Sequence, residues 1–90
     1  MNANEVEIEF CVPCGLLPQA EKAGYALLST YGESIHGLKF RPSHGGVFRI
    51  SVDGENIFDK ASGEGFDMDT VVARVGDRLR KPTIQLGRDG

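Results

Sequence analysis

The chain predicts an α/β two-layer sandwich of order β-α-β-β-β-α, a four-stranded mixed sheet with both helices on one face. Three observations carry this expectation. Short runs alternate apolar and charged residues at period two, one longer run repeats apolar residues at threes and fours, and an Asp-Gly pair joins two of the short runs.

Val6, Ile8 and Phe10 alternate with Glu5, Glu7 and Glu9, so Glu5 to Phe10 reads as a strand buried on one side and wet on the other. Leu16, Leu17, Ala20, Ala23, Ala26, Leu27 and Tyr31 follow helical spacing from Leu16 to Tyr31, with Gly32 as the expected stop. Pro18 is tolerated near the start, because first-turn N–H groups have no partner within the helix. Leu38 and Phe40 alternate with Lys39 and Arg41 in a second strand from Ile35 to Arg41, which Pro42 is expected to end. Pro42 to Gly46 reads as a loop, and Phe48, Ile50 and Val52 alternate with Val47, Arg49 and Ser51 in a third strand.

Asp53-Gly54 suits a type I′ turn, whose two central residues need positive φ, and leads into a fourth strand from Glu55 to Lys60. Strands three and four are therefore antiparallel neighbours. A Gly-rich turn, Ser62 to Gly65, precedes Phe66. Asp67 or Asp69 can then cap a last helix bearing Val71, Val72, Val75 and Leu79, closed at Pro82. The first three strands each have one apolar face, which implies a sheet covered on one side only. The first β-α-β unit should be parallel through a right-handed crossover. Glu5, Glu7, Glu9, Lys39, Arg41 and Arg49 fall on the open face, where opposite signs on adjacent strands support pairing.

With 90 residues, 40% of them hydrophobic and 26% charged, the chain reads as one globular domain over residues 1–82, followed by a tail at 83–90. The net charge of −3 and the absence of a Lys/Arg cluster argue against nucleic acid as a partner. No segment has signal-peptide character or approaches a membrane span, so the expectation is a cytoplasmic protein with no membrane partner.

The chemistry is concentrated in Cys11-Val12-Pro13-Cys14, the only cysteines of the chain. The pair lies where a strand hands over to a helix N-terminus, beside unpaired N–H groups and the positive end of a helix dipole, which favour thiolate over thiol. Cysteines so close in sequence restrict the unfolded chain too little to serve as a structural staple. A redox role is better motivated: one thiolate attacks a disulfide and the second resolves the mixed disulfide into a Cys11–Cys14 bridge. Pro13 limits backbone freedom between the sulfurs and removes one N–H.

Strand, C-x-x-C, helix is the thioredoxin-like arrangement, and the resemblance narrows further. Gly46-Val47-Phe48-Arg49-Ile50, Asp53-Gly54-Glu55, Ile57-Phe58-Asp59-Lys60 and Gly65-Phe66 accompany the cysteine motif. Over most of its length the chain resembles the selenoprotein W, T and H family of thioredoxin-like proteins, in a form with cysteine in place of selenocysteine. The resemblance implies thiol-based oxidoreduction, with glutathione as a candidate thiol co-substrate and no other cofactor. The family motif places selenocysteine where Cys14 stands, whereas thioredoxins attack with the first cysteine. The nucleophile therefore stays open, with the resemblance favouring Cys14.

Cys11 and Cys14 are thus the candidate catalytic residues, with Val12, Pro13, Gly45, Gly46 and Phe66 as candidate substrate contacts. Each has a plainer reading beside it. Gly45-Gly46 either lets a partner backbone approach or makes a turn, and Phe66 either flanks the substrate or anchors the last helix in the core. Pro42 is the nearest counterpart of the thioredoxin proline, but its spacing from Val47 does not predict a cis bond. Cys11, Cys14, His36 and His44 give C-x2-C-x21-H-x7-H, outside finger spacing, and no metal ligand is expected. Gly63-Glu64-Gly65 lacks the phosphate-loop pattern and reads as a turn. The expected partner is a protein disulfide or a low-molecular-weight thiol. The alternative is a binding module in which the scaffold recognises a protein partner without catalysis.

Overall fold

The computed structural model describes residues 4–79 and has the expected order. Its elements are β1 (Glu5–Cys11), α1 (Leu17–Tyr31), β2 (Gly37–Ser43), β3 (Phe48–Val52), β4 (Glu55–Asp59) and α2 (Met68–Arg78), with a 3-10 turn at Lys60–Ser62. The expected stop at Pro82 and the tail at 83–90 lie outside the described residues. Strand order is β2-β1-β3-β4, with β1 and β2 parallel and the other neighbours antiparallel. The parallel pair follows from the length of the α1 crossover, and the antiparallel pair β3–β4 from the tight turn at Asp53 (φ 52°) and Gly54 (φ 85°). Asp53 also ties this turn to the start of β1: its N–H donates to the Glu5 carbonyl (2.8 Å), and its Oδ1 accepts from the Glu5 N–H (2.9 Å).

One face of the sheet is covered. Val6, Ile8 and Phe10 of β1 lie opposite Val52, Ile50 and Phe48 of β3, and all six are buried. Ala20, Ala23 and Leu27 of α1 and Val71 and Val75 of α2 close the same core. The other face carries the charges, where Arg41 reaches Glu7 (3.2 Å) and Arg49 bridges Glu9 (3.1 Å) and Asp59 (3.3 Å). Such half-exposed pairs favour strand register more than they add stability.

Several details differ from the sequence expectation: β2 starts at Gly37 rather than Ile35, β4 ends at Asp59 rather than Lys60, and the others have identifiable physical causes. β1 runs one residue further, into Cys11, because β2 continues alongside it to Ser43. Pro42 does not end β2, since an edge strand tolerates a residue without an N–H. The expected stop of α1 holds: the helix ends at Tyr31 with Gly32 as its C-cap, in a right-handed conformation (φ −52°), and the chain leaves through a turn in which the N–H groups of Ser34 and Ile35 both donate to the Tyr31 carbonyl. In β4 the alternation breaks because a register shift at Ile50/Ser51 lets both Ile57 and Phe58 face inward. Asp67 occupies the α2 N-cap position, yet its carboxylate accepts from the Thr70 hydroxyl (2.6 Å) and from no backbone N–H.

The helices meet at a close contact. Tyr31 Oη donates to the Val72 carbonyl (2.9 Å), and its ring lies across Gly76, where a β-carbon would collide with the Tyr31 hydroxyl. Helix propensity alone would make Gly76→Ala favourable by about 1 kcal/mol. Overpacking costs roughly 1–3 kcal/mol, and displacing the Tyr31 hydrogen bond adds about 1 kcal/mol. Gly76→Ala is therefore expected to lower the urea midpoint, and a raised midpoint would sink this packing account.

Arg74 of α2 forks onto Glu64 (2.9 and 2.6 Å) and donates to the Ile57 carbonyl (3.1 Å), tying the loop before α2 to β4. Hydrogen bonding from Arg74 holds the Glu64 carboxyl below its ordinary 4.5, with partial desolvation opposing and the Arg74 charge assisting. A carboxyl depressed in the folded state contributes stability above its ordinary pKa and loses it as pH falls through the folded value. Glu64→Gln should therefore shallow the acid limb of stability below about pH 4.5. The effect is small because both side chains are well exposed, and an unaltered acid limb in urea titrations would refute it.

Candidate active site

The end of β1 and the start of α1 build the site. Cys11, the last residue of β1, donates its N–H to the Val47 carbonyl (2.8 Å), and Val12 donates to the Ser43 carbonyl (2.9 Å). The strand ends on both sides of β1 thus hold the motif by its backbone. Gly15 N–H then closes on the Val12 carbonyl (3.0 Å), making Val12-Pro13-Cys14-Gly15 a turn with proline at the position where its fixed φ is pre-set. Leu16 N–H returns to the Cys11 carbonyl (3.3 Å), and α1 begins at Leu17 with Pro18 in its first turn.

Within this frame Cys11 and Cys14 are joined by a disulfide, with Cα atoms 5.4 Å apart. The pair is strongly asymmetric: Cys11 is 1% exposed, whereas Cys14 stands open to solvent. Val12, at 50% exposure, and Pro13 form the outer lip of the turn. No side chain caps the N-terminus of α1 and no acidic residue lies in its first turn, so its positive end stays uncompensated next to Gly15. Among residues 11–18 and 43–47 the only ionisable side chain besides the cysteines is His44, an exposed loop residue.

Gly45 (φ 79°) and Gly46 (φ 77°) make the turn into β3, one residue ahead of the Val47 carbonyl that holds Cys11. A side chain at either would meet open space, so their positive φ is what calls for glycine. Pro42 lies opposite Phe10 in β2, and no cis peptide bond occurs among the described residues. Phe66 is half-buried and packs edge-on against Phe48 (5.4 Å) and Phe58 (5.7 Å), the contacts of a core anchor. His36 sits exposed just before β2, at the opposite end of that strand from Ser43. The backbone clamps from Ser43 and Val47 escaped sequence reasoning. Cys11 breaks the alternation of β1, being buried directly after Phe10 on the face that otherwise carries Glu5, Glu7 and Glu9.

A cysteine pair at the strand-to-helix junction of a four-stranded mixed sheet, flanked by the loop that enters the antiparallel β3, is the arrangement of the thioredoxin-like redox fold. Residues 5–77 match the Rdx family, and the chain belongs to that family. It is similar to a Bordetella parapertussis protein of known crystal structure, with 32% identity, a TM-score of 0.82 and coverage of 87% of this chain and 100% of that one. It is also similar to the crystal structure of a selenoprotein W-related protein from Vibrio cholerae, with 28% identity, a TM-score of 0.78 and coverage of 84% and 96%. No curated protein matches the sequence. Among the described residues, no helix is long and apolar enough to cross a membrane.

Proposed function

We propose that the protein is a thiol–disulfide oxidoreductase whose Cys11 and Cys14 cycle between dithiol and disulfide. The asymmetry of the pair carries this reading: the two sulfurs are within bonding reach, with one residue buried and the other open to solvent. In the reducing direction the Cys14 thiolate attacks a partner disulfide, forming a Cys14–partner bond and releasing one partner thiolate. Cys11 then attacks Cys14 Sγ, closes the internal disulfide and releases the second partner thiol, so that two electrons and two protons pass to the partner. The direct attack belongs to Cys14 because a buried sulfur cannot meet a disulfide on another molecule.

Val12, Pro13, Gly45 and Gly46 form the rim an incoming partner meets, and Phe66 supports that rim from the aromatic cluster beneath β3. The partner is a protein disulfide or a low-molecular-weight thiol, glutathione among them, in a cytoplasmic setting of redox homeostasis. Equilibrating the protein in glutathione buffers of graded potential, with thiol trapping and mass readout, should show a reversible two-hydrogen mass difference. Either Cys11→Ser or Cys14→Ser removes it. Thiols that stay free in the oxidising buffers would overturn the reading. Capture of a partner undiminished by loss of both cysteines would favour the binding-module alternative.

A further inference from the structure

β2 is the terminal strand of the sheet, so one of its edges has no strand beside it among the described residues. Its two faces differ in chemistry. On the helix side, Phe40 is 41% exposed and rests on Gly24 of α1, where a β-carbon would lie 2.7 Å from Phe40 Cζ. Leu17 and Leu28 share the Gly24 face of α1 by helical spacing, and both are more than two-fifths exposed. On the other side stand Lys39 and Arg41. Arg41 is paired with Glu7, while Lys39 has no ion-pair partner among the described residues.

The strand that β2 does accept shows what this pattern selects. β1 reads Glu5-Val6-Glu7-Ile8-Glu9-Phe10-Cys11, with Val6 and Ile8 opposite Leu38 and Phe40, and Glu7 and Glu9 opposite Lys39 and Arg41. The outer edge repeats that requirement, because both edges of a strand share its two faces. We infer that the outer edge of β2 docks an extended segment of a partner protein that alternates apolar and acidic residues and bears the disulfide exchanged at Cys14. The inference rests on the redox reading and adds the class of substrate to it.

Two further observations support this occupant. The edge leads to the site, since the carbonyl of Ser43 at the end of β2 accepts from Val12 N–H inside the cysteine motif (2.9 Å). A second copy of β2 fits poorly, because antiparallel self-pairing that keeps Leu38 and Phe40 on one face sets Lys39 and Arg41 against like charges. Pro42 has no N–H to offer a further strand, so pairing along the outer edge stops before it. Glutathione is too short to pair along it.

The test compares three disulfides against the reduced protein. One is a synthetic peptide alternating valine and glutamate with a terminal cysteine, carried as its mixed disulfide with mercaptoethanol. The second is a peptide of the same composition with valines and glutamates in separate blocks, and the third is hydroxyethyl disulfide. The alternating peptide should exchange about tenfold faster than the block peptide. Lys39→Glu should remove most of that advantage and leave the hydroxyethyl disulfide rate unaltered. Should Lys39→Glu fail to fold, a valine–lysine peptide against wild type serves instead, and it must gain nothing over the block peptide. Equal rates for the two glutamate peptides would overturn the docking edge while exchange with hydroxyethyl disulfide keeps the redox reading. Failure of all three disulfides would overturn both. Dimerisation that the alternating peptide competes away would assign the edge to a second copy and reject the inference.

Discussion

Cys14→Ser is expected to slow attack on a partner disulfide roughly a hundredfold, whereas Cys11→Ser should yield a protein that captures a partner and cannot release it. The two changes remove chemically identical groups, and the residues alone leave the nucleophile open, with the family resemblance favouring Cys14. The fold separates them: Cys11 ends a buried strand, clamped through its N–H to Val47, while Cys14 lies on an exposed turn. In Cys14→Ser the remaining thiol is reached only when the end of β1 opens. A local opening of about 3 kcal/mol slows its reaction roughly a hundredfold. In Cys11→Ser the remaining thiol stays in front and forms a mixed disulfide, which persists because no second sulfur resolves it. Alkylation rates of the two variants with iodoacetamide check the first half of the argument. Accumulation of mixed disulfide with a model substrate checks the second. Equal alkylation rates would show that burial does not separate the two sulfurs.

Phe48→Ala is expected to be the most damaging core change away from the cysteines, at about 3–5 kcal/mol. Phe48 is fully buried, lies opposite Phe10 in the sheet, and packs edge-on against Phe58 (6.1 Å) and Phe66 (5.4 Å). Its loss leaves a cavity and also strips Phe66 of one of its two aromatic contacts, which loosens the approach to α2. A domain of this size commands only about 5–15 kcal/mol in all, so the midpoint should fall by roughly 15–30 °C. Phe48→Leu should recover much of the loss by refilling the cavity, and Phe66→Ala, at a half-buried position, should cost less than Phe48→Ala. Urea denaturation of the three variants measures this. A loss under about 1 kcal/mol for Phe48→Ala would mean that the cluster does not anchor β3.

Much of the fold was legible because short-range rules and burial agree. The Glu-Val-Glu-Ile-Glu-Phe run could only be a half-buried strand, and Asp53-Gly54 could only be a tight hairpin between two such strands. Legibility failed where a strand's position in the sheet overrides its local signals. Pro42 reads as a terminator until β2 proves to be an edge, and Ile57-Phe58 contradicts alternation until the bulge in β3–β4 accounts for it. At the site, the sequence located the cysteine pair and the helix behind it. The holding of that pair by the carbonyls of Ser43 and Val47 was invisible, since both come from segments distant in sequence.

The sequence by itself located the cysteine pair and its strand-to-helix setting, because C-x-x-C spacing and a strand-to-helix handover are local properties that a few adjacent residues encode. It also determined which side of the sheet would be dry, through the period-two pattern of β1 and β3. Only the tertiary structure decided which cysteine faces outward and which edge of the sheet stays open. Both depend on the tertiary arrangement: Cys11 is buried although it shares its face of β1 with the half-buried Glu7 and Glu9, and β2 lies outermost in the sheet. Burial and edge exposure are properties of neighbours distant in sequence, and no local pattern around Cys11, Cys14 or Phe40 carries them.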